Sequence, residues 1–366
     1  MAKHQQIYAD HKLTSAEKSR RFQDNFCSID KQLEERYLKI DWDRRNAAEK
    51  DLVQWTNTYL IGLTLDESPS ERGEEVLRQM QKAITSHSNY AIALHRGAGK
   101  TAFIISTSVY ALFTGLQKFI VVVANNQRAS NGILNDIFKV FQVPDSALAQ
   151  DYPEIIFPYS QANGSFRRRQ LFNGVQTNIK KNANELFLPH YDDKRFSRAS
   201  GSLVITRSIT GGLRGIRNGT QRPTFCLLDD IQTTESAQNP ESVQKLVEMI
   251  QKDIVPLAGK QRLSILQTFT PIVADDLVDK IKNDKSWTTT LWPAIISFPD
   301  NIGLWEKYFK AYDEESVSGQ GHSGSLDFYR QNREEMDKGA IVFNEKRYSE
   351  EDGHISMLQK LLEIKH

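Results

Sequence analysis

The residues with the clearest chemical pattern lie in the stretch ALHRGAGKTAF, which begins at Ala93. Gly99, Lys100 and Thr101 match the end of the phosphate-binding loop pattern G-x-x-x-x-G-K-[ST]. Leu94 stands where that pattern has its first glycine. In such a loop the lysine contacts the β- and γ-phosphates of a nucleotide, and the threonine hydroxyl binds Mg²⁺. The stretch therefore predicts an ATP and Mg²⁺ site, and an ordinary strand-to-helix turn is the alternative.

The residues around this loop favour the nucleotide interpretation. The apolar run YAIAL precedes the loop, and the helical pattern TAFIISTSVYALF follows it. A loop between a strand and a helix directs backbone N–H groups and the positive end of the helix dipole at a phosphate. Gly97 and Gly99 permit close approach of the backbone. The predicted phosphate contacts are Gly97, Ala98, Gly99, Lys100 and Thr101.

A second motif is the apolar strand PTFCLLDD, which ends in Asp229 and Asp230. Phosphoryl transfer needs a carboxylate near the Mg²⁺ and another group that orients the attacking water. We predict that Asp229 holds the metal through water, together with Thr101, and that Asp230 is the general base. Glu235 is the alternative base if the shorter aspartate does not reach the water. A helix N-cap at the end of the strand is the non-catalytic interpretation of the acid pair.

A third motif is LSILQTFTP, an apolar strand that ends in Gln267, Thr268 and Thr270. A polar strand end beside a phosphate-binding loop is placed to sense the γ-phosphate, so we predict that Thr268 contacts the nucleotide. The alternative is a strand that is followed by a simple turn.

The spacing of apolar runs predicts the fold class. YAIAL, the loop, the following helix and KFIVVVAN form a βαβ unit, and SLVITRSI, TFCLLDD and LSILQTF follow as further strands. Apolar strands separated by helices indicate a mostly parallel α/β sheet. We predict an α/β P-loop NTPase of the additional-strand (ASCE) type, with helices on both sides of the sheet. The expected regions are a small helical N-terminal region (1–68), the ATPase core (69–300) and a helical C-terminal segment (301–366).

Composition excludes several other classes of protein. The chain has 366 residues, of which 39% are hydrophobic and 25% charged, so wholesale disorder is not expected. Two cysteines make no disulfide framework. The N-terminus lacks the apolar core of a secretion signal, and Gly115, Gln117 and Lys118 interrupt the most apolar region. We therefore expect a protein that is neither secreted nor embedded in a membrane.

The chain has a net charge of +1, but its positive charge is unevenly distributed along the sequence. Residues 160–222 contain 12 Lys and Arg against three acids, an excess of nine. The segment includes RRR, which begins at Arg167, and GGLRGIRNG, which begins at Gly211. Such a surface can bind a polyanion such as DNA. The alternative is a solvated surface whose positive charge is balanced by acids from elsewhere in the fold.

Together these stretches resemble the large subunit of bacteriophage terminase, the ATPase that packages DNA. The resemblance runs from about Trp55 onward and is carried by HRGAGKT, RGIRNGTQRPTFCLLDDIQTTESAQNP, ADDLVDKI and FYRQNREEMDKGA. It implies a motor that hydrolyses ATP and moves double-stranded DNA into a procapsid. It also implies a homo-oligomeric ring on the portal protein, a small terminase subunit as partner, and a place at the portal in the bacterial host cytoplasm.

The resemblance also implies roles for particular residues. Arg96 helps to order ATP, and Arg214 or Arg217 is an arginine finger that reaches a neighbouring subunit. Gln267 to Thr270 match the motif that couples hydrolysis to DNA movement. Large terminases usually carry a second, RNase H-like nuclease domain, which the residues after Pro271 are expected to lack. The alternatives are a DNA helicase or remodelling ATPase with the same core, and a non-catalytic nucleic-acid-binding remnant.

Overall fold

A central β-sheet organises the chain in this computed structural model, which describes residues 26–95, 97–162, 169–319, 321–346, 348–351 and 353–365. The strands are β1 (Phe26–Ser28), β2 (Asn89–Leu94), β3 (Phe119–Ala124), β4 (Arg169–Phe172), β5 (Val175–Gln176), β6 (Lys180–Lys181), β7 (Glu185–Phe187), β8 (Leu203–Ser208), β9 (Phe225–Asp229), β10 (Ser264–Phe269), β11 (Trp287–Trp292), β12 (Ile295–Ser297) and β13 (Ile341–Val342). Within the described residues, eight of these strands form the central sheet in the order β11-β2-β10-β9-β3-β8-β7-β6.

The order of the strands confirms the predicted fold class. The six strands from β11 to β8 are parallel, and β7 and β6 add an antiparallel edge. Strand β10 lies between β2, which leads into the phosphate-binding loop, and β9, which ends in the acids. An extra strand between these two is the feature that defines the ASCE type of P-loop NTPase. The chain is therefore an α/β P-loop fold of that type.

Helices cover both faces of the sheet. They are α1 (Asp30–Tyr37), α2 (Trp42–Ala48), α3 (Leu52–Tyr59), α4 (Glu71–Ser86), α5 (Lys100–Phe113), α6 (Gln127–Lys139), α7 (Ala147–Asp151), α8 (Pro153–Gln161), α9 (Thr234–Ala237), α10 (Pro240–Met249), α11 (Leu277–Lys282), α12 (Ile302–Ser318), α13 (Ser323–Asp337) and α14 (Met357–Lys365). The described residues also include a π-helical turn (Ile250–Ile254) and short 3₁₀ turns (Val140–Gln142, Lys194–Phe196, Val255–Ala258). The unit β2–α5–β3 confirms the predicted βαβ arrangement.

The two faces of the sheet have separate apolar cores, because side chains alternate along each strand. Ile92, Leu227 and Leu266 pack with the helix that follows the phosphate-binding loop, α5. The neighbouring residues Leu228 and Ile265 pack on the opposite face, in the cluster that contains α10 and α11. The phosphate-binding loop thus leads into a helix on one face of the sheet, whereas α10 and α11, which follow β9, cover the other face.

The N-terminal region, predicted to be helical, has helices α1, α2 and α3 but also contains a strand. Residues 26–28 form this strand, β1, which pairs in parallel with β4. Pairing with a strand about 140 residues away satisfies the backbone of β1, and local periodicity carries no information about that partner. The helical prediction for residues before Phe26 falls outside the described residues.

Buried ion pairs attach the N-terminal helices to the core. Arg45 is buried, and its guanidinium lies 2.8 Å from Glu154 and 3.1 Å from Glu49. Arg44 pairs with the buried Asp151 at 2.6 Å. Burial raises the pKa of Glu154, and the Arg45 charge opposes that rise. Removal of one partner of such a pair leaves an uncompensated buried charge, so these contacts hold α2 against α7 and α8.

The residues after Pro293 build a further cluster. Helices α12, α13 and α14 pack around Trp305, Tyr308 and Tyr329, and β12 pairs with β13 in antiparallel fashion. This segment therefore contains a small sheet in addition to the predicted helices, while the predicted division into three regions stays a prediction. In the part of the chain that the structure describes, every helix is too short or too polar to cross a bilayer.

We predict that Gly115→Ala lowers the free energy of unfolding by about 2–4 kcal/mol. Gly115 follows α5 with a φ of 70°, and an added Cβ would lie 2.2 Å from the backbone oxygen of Arg198. Both the backbone conformation and the space therefore exclude a side chain. Gly132→Ala is the matched control, because an added Cβ meets nothing within 4 Å there and alanine favours the helix. Urea denaturation of both variants tests this, and equal stabilities would contradict it.

Candidate active site

The phosphate-binding loop has the backbone that its sequence predicts. Strand β2 is almost entirely buried, and the chain turns through Gly97 and Gly99, whose φ angles are 84° and 86°. Glycine adopts this left-handed conformation without a steric penalty. Helix α5 then begins at Lys100, and its N-cap residue Gly99 makes no side-chain cap. The start of a helix directs backbone N–H groups outward and is a common place for an anion to bind. Arg96, predicted to order ATP, lies outside the described residues.

The side chain of Lys100 folds back over the loop. Its Nζ donates to the backbone oxygens of Leu94 at 3.1 Å and His95 at 3.4 Å. The positive charge of Lys100 also acts on Asp229, where it opposes the rise in pKa that burial of this acid causes. Since Lys100 and Asp229 belong to different elements, this interaction shows that the fold brings the loop lysine and the acid strand close together.

The acid pair lies where β9 leaves the sheet. Asp229 is opposite Thr268 in the β9–β10 register, and the Thr268 hydroxyl donates a hydrogen bond to its carboxylate. Burial raises the pKa of Asp229 to about 6; the Asp230 charge adds to that rise, and Thr268 and Lys100 oppose it. A cation beside Asp229 would favour its ionised form. The site therefore carries a carboxylate whose electrostatic environment suits a bound metal.

Asp230 adds one backbone hydrogen bond to β10 beyond the end of β9, and the chain turns at this residue. Its N–H donates to the Thr268 oxygen at 3.2 Å, and its φ is 39°. The Thr270 hydroxyl donates to its carboxylate at 3.3 Å. Positive φ at a residue other than glycine is uncommon and costs about 1–3 kcal/mol. The strained turn directs the Asp230 carboxylate towards the end of β10.

One cleft of about 620 Å³ brings most of the predicted residues together. Its lining consists of Gly97, Gly99, Lys100, Thr101, Asn125, Asp230, Gln232, Thr234, Phe269, Thr270, Ile272 and Val278. Asp229 is partly buried and Thr268 fully buried next to this lining. Glu235 is exposed and does not line the cleft.

Sequence reasoning missed several residues of this lining. Asn125 directly follows β3, and Gln232 and Thr234 follow the acids. Because the carboxyl ends of parallel strands meet at one edge of a sheet, a polar residue just after β3 was a signal that pointed to Asn125. Gln232 and Thr234 stand within five residues of Asp230 but carry no recognised motif.

A second cleft, of about 470 Å³, lies on the other side of the loop. Gly99 lines both clefts, whereas Ala98 and Phe103 line only the second. The remaining walls come from residues 64–70 and from the C-terminal residues Phe343, Asn344, Lys346, Tyr348, Ser349 and Lys360. The loop is thus a wall that the two clefts share, with Asp230 on one side and Phe103, Phe343 and Tyr348 on the other.

Arg214 and Arg217 lie away from both clefts. They line a groove of about 250 Å³ with Arg207 and Glu185. This groove borders Leu203 and Ile205, which face the core opposite α5. Both arginines are exposed, and 78% of the Arg214 side chain is accessible although its Nε lies 2.6 Å from Asp253. Within one chain, the structure does not bring these arginines to the acid pair.

Acids from elsewhere neutralise part of the basic segment. Arg195 pairs with Glu34 and Arg198 with Glu49, at 2.6 Å and 2.5 Å. Lys180 pairs with Glu185 inside the segment. The local excess of nine positive charges is therefore smaller at the surface than the sequence suggests. Arg167 and Arg168 lie outside the described residues, and only the backbone of Arg169 is described.

Comparisons with known proteins give weak likenesses. No protein-family model matches the chain, and no curated protein is significantly similar to it. Among solved structures, the large terminase ATPase domain of Thermus phage P74-26 is similar, with a TM-score of 0.37, 16% identity, and coverage of 72% of this chain and 96% of that one. The Phi-28 gp11 DNA packaging motor has a TM-score of 0.29 and 11% identity, with coverage of 56% of each chain.

We predict that Asp229→Asn stabilises the metal-free protein more at pH 8 than at pH 5. The folded-state pKa of Asp229 is raised to about 6, so ionisation above that pH costs folding energy that asparagine avoids. The difference in unfolding free energy between variant and wild type should fall by about 1.4 kcal/mol from pH 8 to pH 5. Urea denaturation measures it, with the exposed Asp145→Asn as baseline. A difference that is equal at both pH values would refute the buried-acid assignment.

Proposed function

We propose that this chain is the ATP-hydrolysing motor subunit of a viral terminase, which moves double-stranded DNA into a procapsid. The observation that carries the catalytic part is the cleft in which Lys100 and Thr101 face Asp230 across the end of the sheet. The DNA-packaging part rests on the sequence resemblance of the loop, the acid strand and the stretches that follow them. Hydrolysis of ATP and DNA movement are therefore supported by different observations.

The two clefts fit the two ends of a nucleotide. The polyphosphate would lie on the N–H groups at the start of α5, with Lys100 on the β- and γ-phosphates. The nucleoside would occupy the second cleft, because Gly99 separates the two and Phe103 and Tyr348 offer apolar surface there. This arrangement assigns Ala98 to the nucleoside side and Thr101 to the phosphate side of the loop.

The donor set suits Mg²⁺ that is bound together with a nucleotide. Mg²⁺ uses one or two carboxylates with substrate phosphates and water, not an all-protein cage. In the described part of the chain no group of three or more His, Cys, Asp or Glu side chains forms such a cage, whereas the Thr101 hydroxyl and the Asp229 carboxylate are at hand. Bound Mg²⁺ would offset charge on the phosphates. Thr101 and Asp229 would hold it.

Asp230 is a better candidate for the general base than Glu235. It lines the cleft with Lys100, and the Thr270 hydroxyl orients its carboxylate. Glu235 is exposed in the first turn of α9, outside the lining. A general base must lie within hydrogen-bond reach of the water it deprotonates. We therefore assign the water-activating role to Asp230 and the metal role to Asp229.

The arginines on the opposite face suit a role between subunits. Arg214 and Arg217 are exposed in a glycine-rich loop and do not reach the cleft of their own chain. A neighbouring subunit in a ring would bring one of them to the phosphates, where its charge would offset charge that develops on the transferred group. Assembly as a homo-oligomeric ring on a portal protein, with a small terminase subunit, at the portal in the host cytoplasm completes the proposal.

DNA is proposed to be held through its phosphates, because a packaging motor must grip any sequence. We expect the contacts to come from basic residues of segment 160–222 other than Lys180, Arg195, Arg198 and Arg214, which pair with acids. Binding of this kind weakens steeply as salt rises.

We predict that Lys100→Ala abolishes ATP hydrolysis and leaves the fold intact. Lys100 lines the cleft, and we propose that it contacts the transferred phosphate, so its loss would remove stabilisation of the transition state and little packing. Phosphate release and circular dichroism are the measurements, and the exposed Lys82→Ala is the matched control. Near-wild-type turnover in Lys100→Ala would refute the nucleotide site.

The same preparation separates packaging from the alternative activity. A packaging motor moves along double-stranded DNA without separating its strands, so a labelled duplex should stay paired during hydrolysis. ATP-dependent strand release would indicate a helicase. DNA binding without any turnover would indicate a non-catalytic remnant.

We predict that mixing Arg214→Ala or Arg217→Ala subunits with Lys100→Ala subunits restores part of the ATPase activity. In a mixed ring, the intact loop of the arginine variant receives the intact arginine of its neighbour. Arg262→Ala, another exposed arginine, should instead retain its activity when it is assayed alone. Failure of both mixtures, with rings demonstrated by light scattering, would exclude an arginine finger at these positions.

A further inference from the structure

Gln232 has one half of its side-chain amide fixed and the other half without a partner. It lines the cleft with Lys100 and Asp230. Its Oε1 accepts a hydrogen bond of 2.7 Å from the backbone N–H of Leu277. Its Nε2 is buried and has no hydrogen-bond partner among the described residues. An unsatisfied buried donor costs about 1–3 kcal/mol, so such a group needs an explanation.

The contact with Leu277 determines which way the amide points. Leu277 is the first residue of α11, and its backbone N–H needs an acceptor, so Oε1 must stay on that side. The helix start itself is well held: the Asp276 carboxylate accepts the N–H of Val278 at 2.8 Å and that of Ile272 at 2.9 Å. Leu277 and Val278 are buried. A flip of the amide would lose the Leu277 bond, and Nε2 is therefore the free end.

The backbone on the other side of Gln232 is also constrained. The positive φ of Asp230 turns the chain, and Ile231 enters the core at 2% exposure. After Gln232, the Thr233 and Ser236 side chains form a reciprocal cap at the start of α9. A buried anchor before it and a capped helix after it hold Gln232 at the cleft, two residues beyond the predicted base.

We propose that Gln232 is a further catalytic residue, whose Nε2–H donates a hydrogen bond to a γ-phosphate oxygen of ATP. The inference rests on the proposed ATPase function of this cleft. An amide Nε2 only donates, and phosphate oxygens only accept. A bond from Nε2 to the attacking water would engage the lone pair that the water needs, whereas Asp230 can accept the proton of that water. Gln232 and Asp230 then act on different reactants in one cleft.

A donor fixed in advance is most effective where charge develops in the transition state. The Leu277 N–H polarises the amide from its oxygen side, which strengthens the donor at Nε2. Gln232 would thus connect the γ-phosphate, through Nε2, to the start of α11, through Oε1. The phosphate contact is lost when only ADP remains. Gln232 therefore distinguishes ATP from ADP in this cleft.

Two substitutions separate this role from a structural tie. Gln232→Glu keeps an oxygen for the Leu277 N–H and removes the donor, whereas Gln232→Met removes both at similar length. We expect both to lower kcat roughly a hundredfold. Only Gln232→Met should also lower Tm. Wild-type kcat in Gln232→Glu would overturn the inference. Because the new carboxylate also repels the phosphates, a fall in kcat supports the inference only together with the loss of affinity that the uncharged Gln232→Met is expected to show below.

Nucleotide affinity gives a readout that a structural role would not change. Gln232→Met should bind ADP like the wild type, but bind ADP with aluminium fluoride, a mimic of the transferred phosphoryl group, roughly a hundredfold more weakly. Equal affinity for the fluoride complex would overturn the inference. Gln238→Met, at an exposed glutamine of the same segment, should retain full activity. The inference and the proposed function can fail separately. Only the inference fails if wild type hydrolyses ATP, Lys100→Ala does not, and the Gln232 variants match wild type. Absence of turnover in wild type would overturn the proposed function as well.

Discussion

The register of three parallel strands is the constraint on which the rest of the site depends. Thr268 of β10 lies opposite Asp229 of β9 on one side and Ile92 of β2 on the other. This register brings the ends of the three strands to one edge, where the Thr268 hydroxyl meets the Asp229 carboxylate. A shift by one residue would turn each side chain to the opposite face of the sheet. The loop lysine and the acids would then no longer share a cleft.

Several unfavourable features are concentrated at this one edge. Asp229 is a partly buried acid with a raised pKa, Asp230 has a positive φ, and Gln232 has a buried donor without a partner among the described residues. Each of these costs stability in the folded chain without ligands. The apolar cores on both faces of the sheet offset that cost. Such a concentration is common where a protein prepares charges and dipoles for a reaction, because a ligand relieves what the fold leaves unsatisfied.

Two segments that are far apart in the sequence lie beside the phosphate-binding loop. Residues 64–70 and the C-terminal residues around Phe343 border the second cleft. The guanidinium of Arg72 donates to the Val342 oxygen at 3.0 Å, and the rings of His95 and Phe343 lie 5.5 Å apart. A change in the conformation of the loop therefore has direct contacts through which it can reach the C-terminal segment. These contacts join regions that are about 250–270 residues apart in the sequence.

The sequence by itself determined the strands β2, β3, β9 and β10, the loop glycines and the helix α5, because apolar periodicity and glycine conformation act over a few residues. It also identified Lys100, Thr101 and Asp230 as partners in one site, through a motif and a strand end. Only the tertiary structure decided the order of the strands, the place of β11 at the edge and the pairing of β1 with β4. The acids that neutralise the basic segment, the second cleft and the orientation of Gln232 likewise come from contacts between distant residues. Such contacts depend on which surfaces meet when the chain is packed, and no local pattern in the sequence records that.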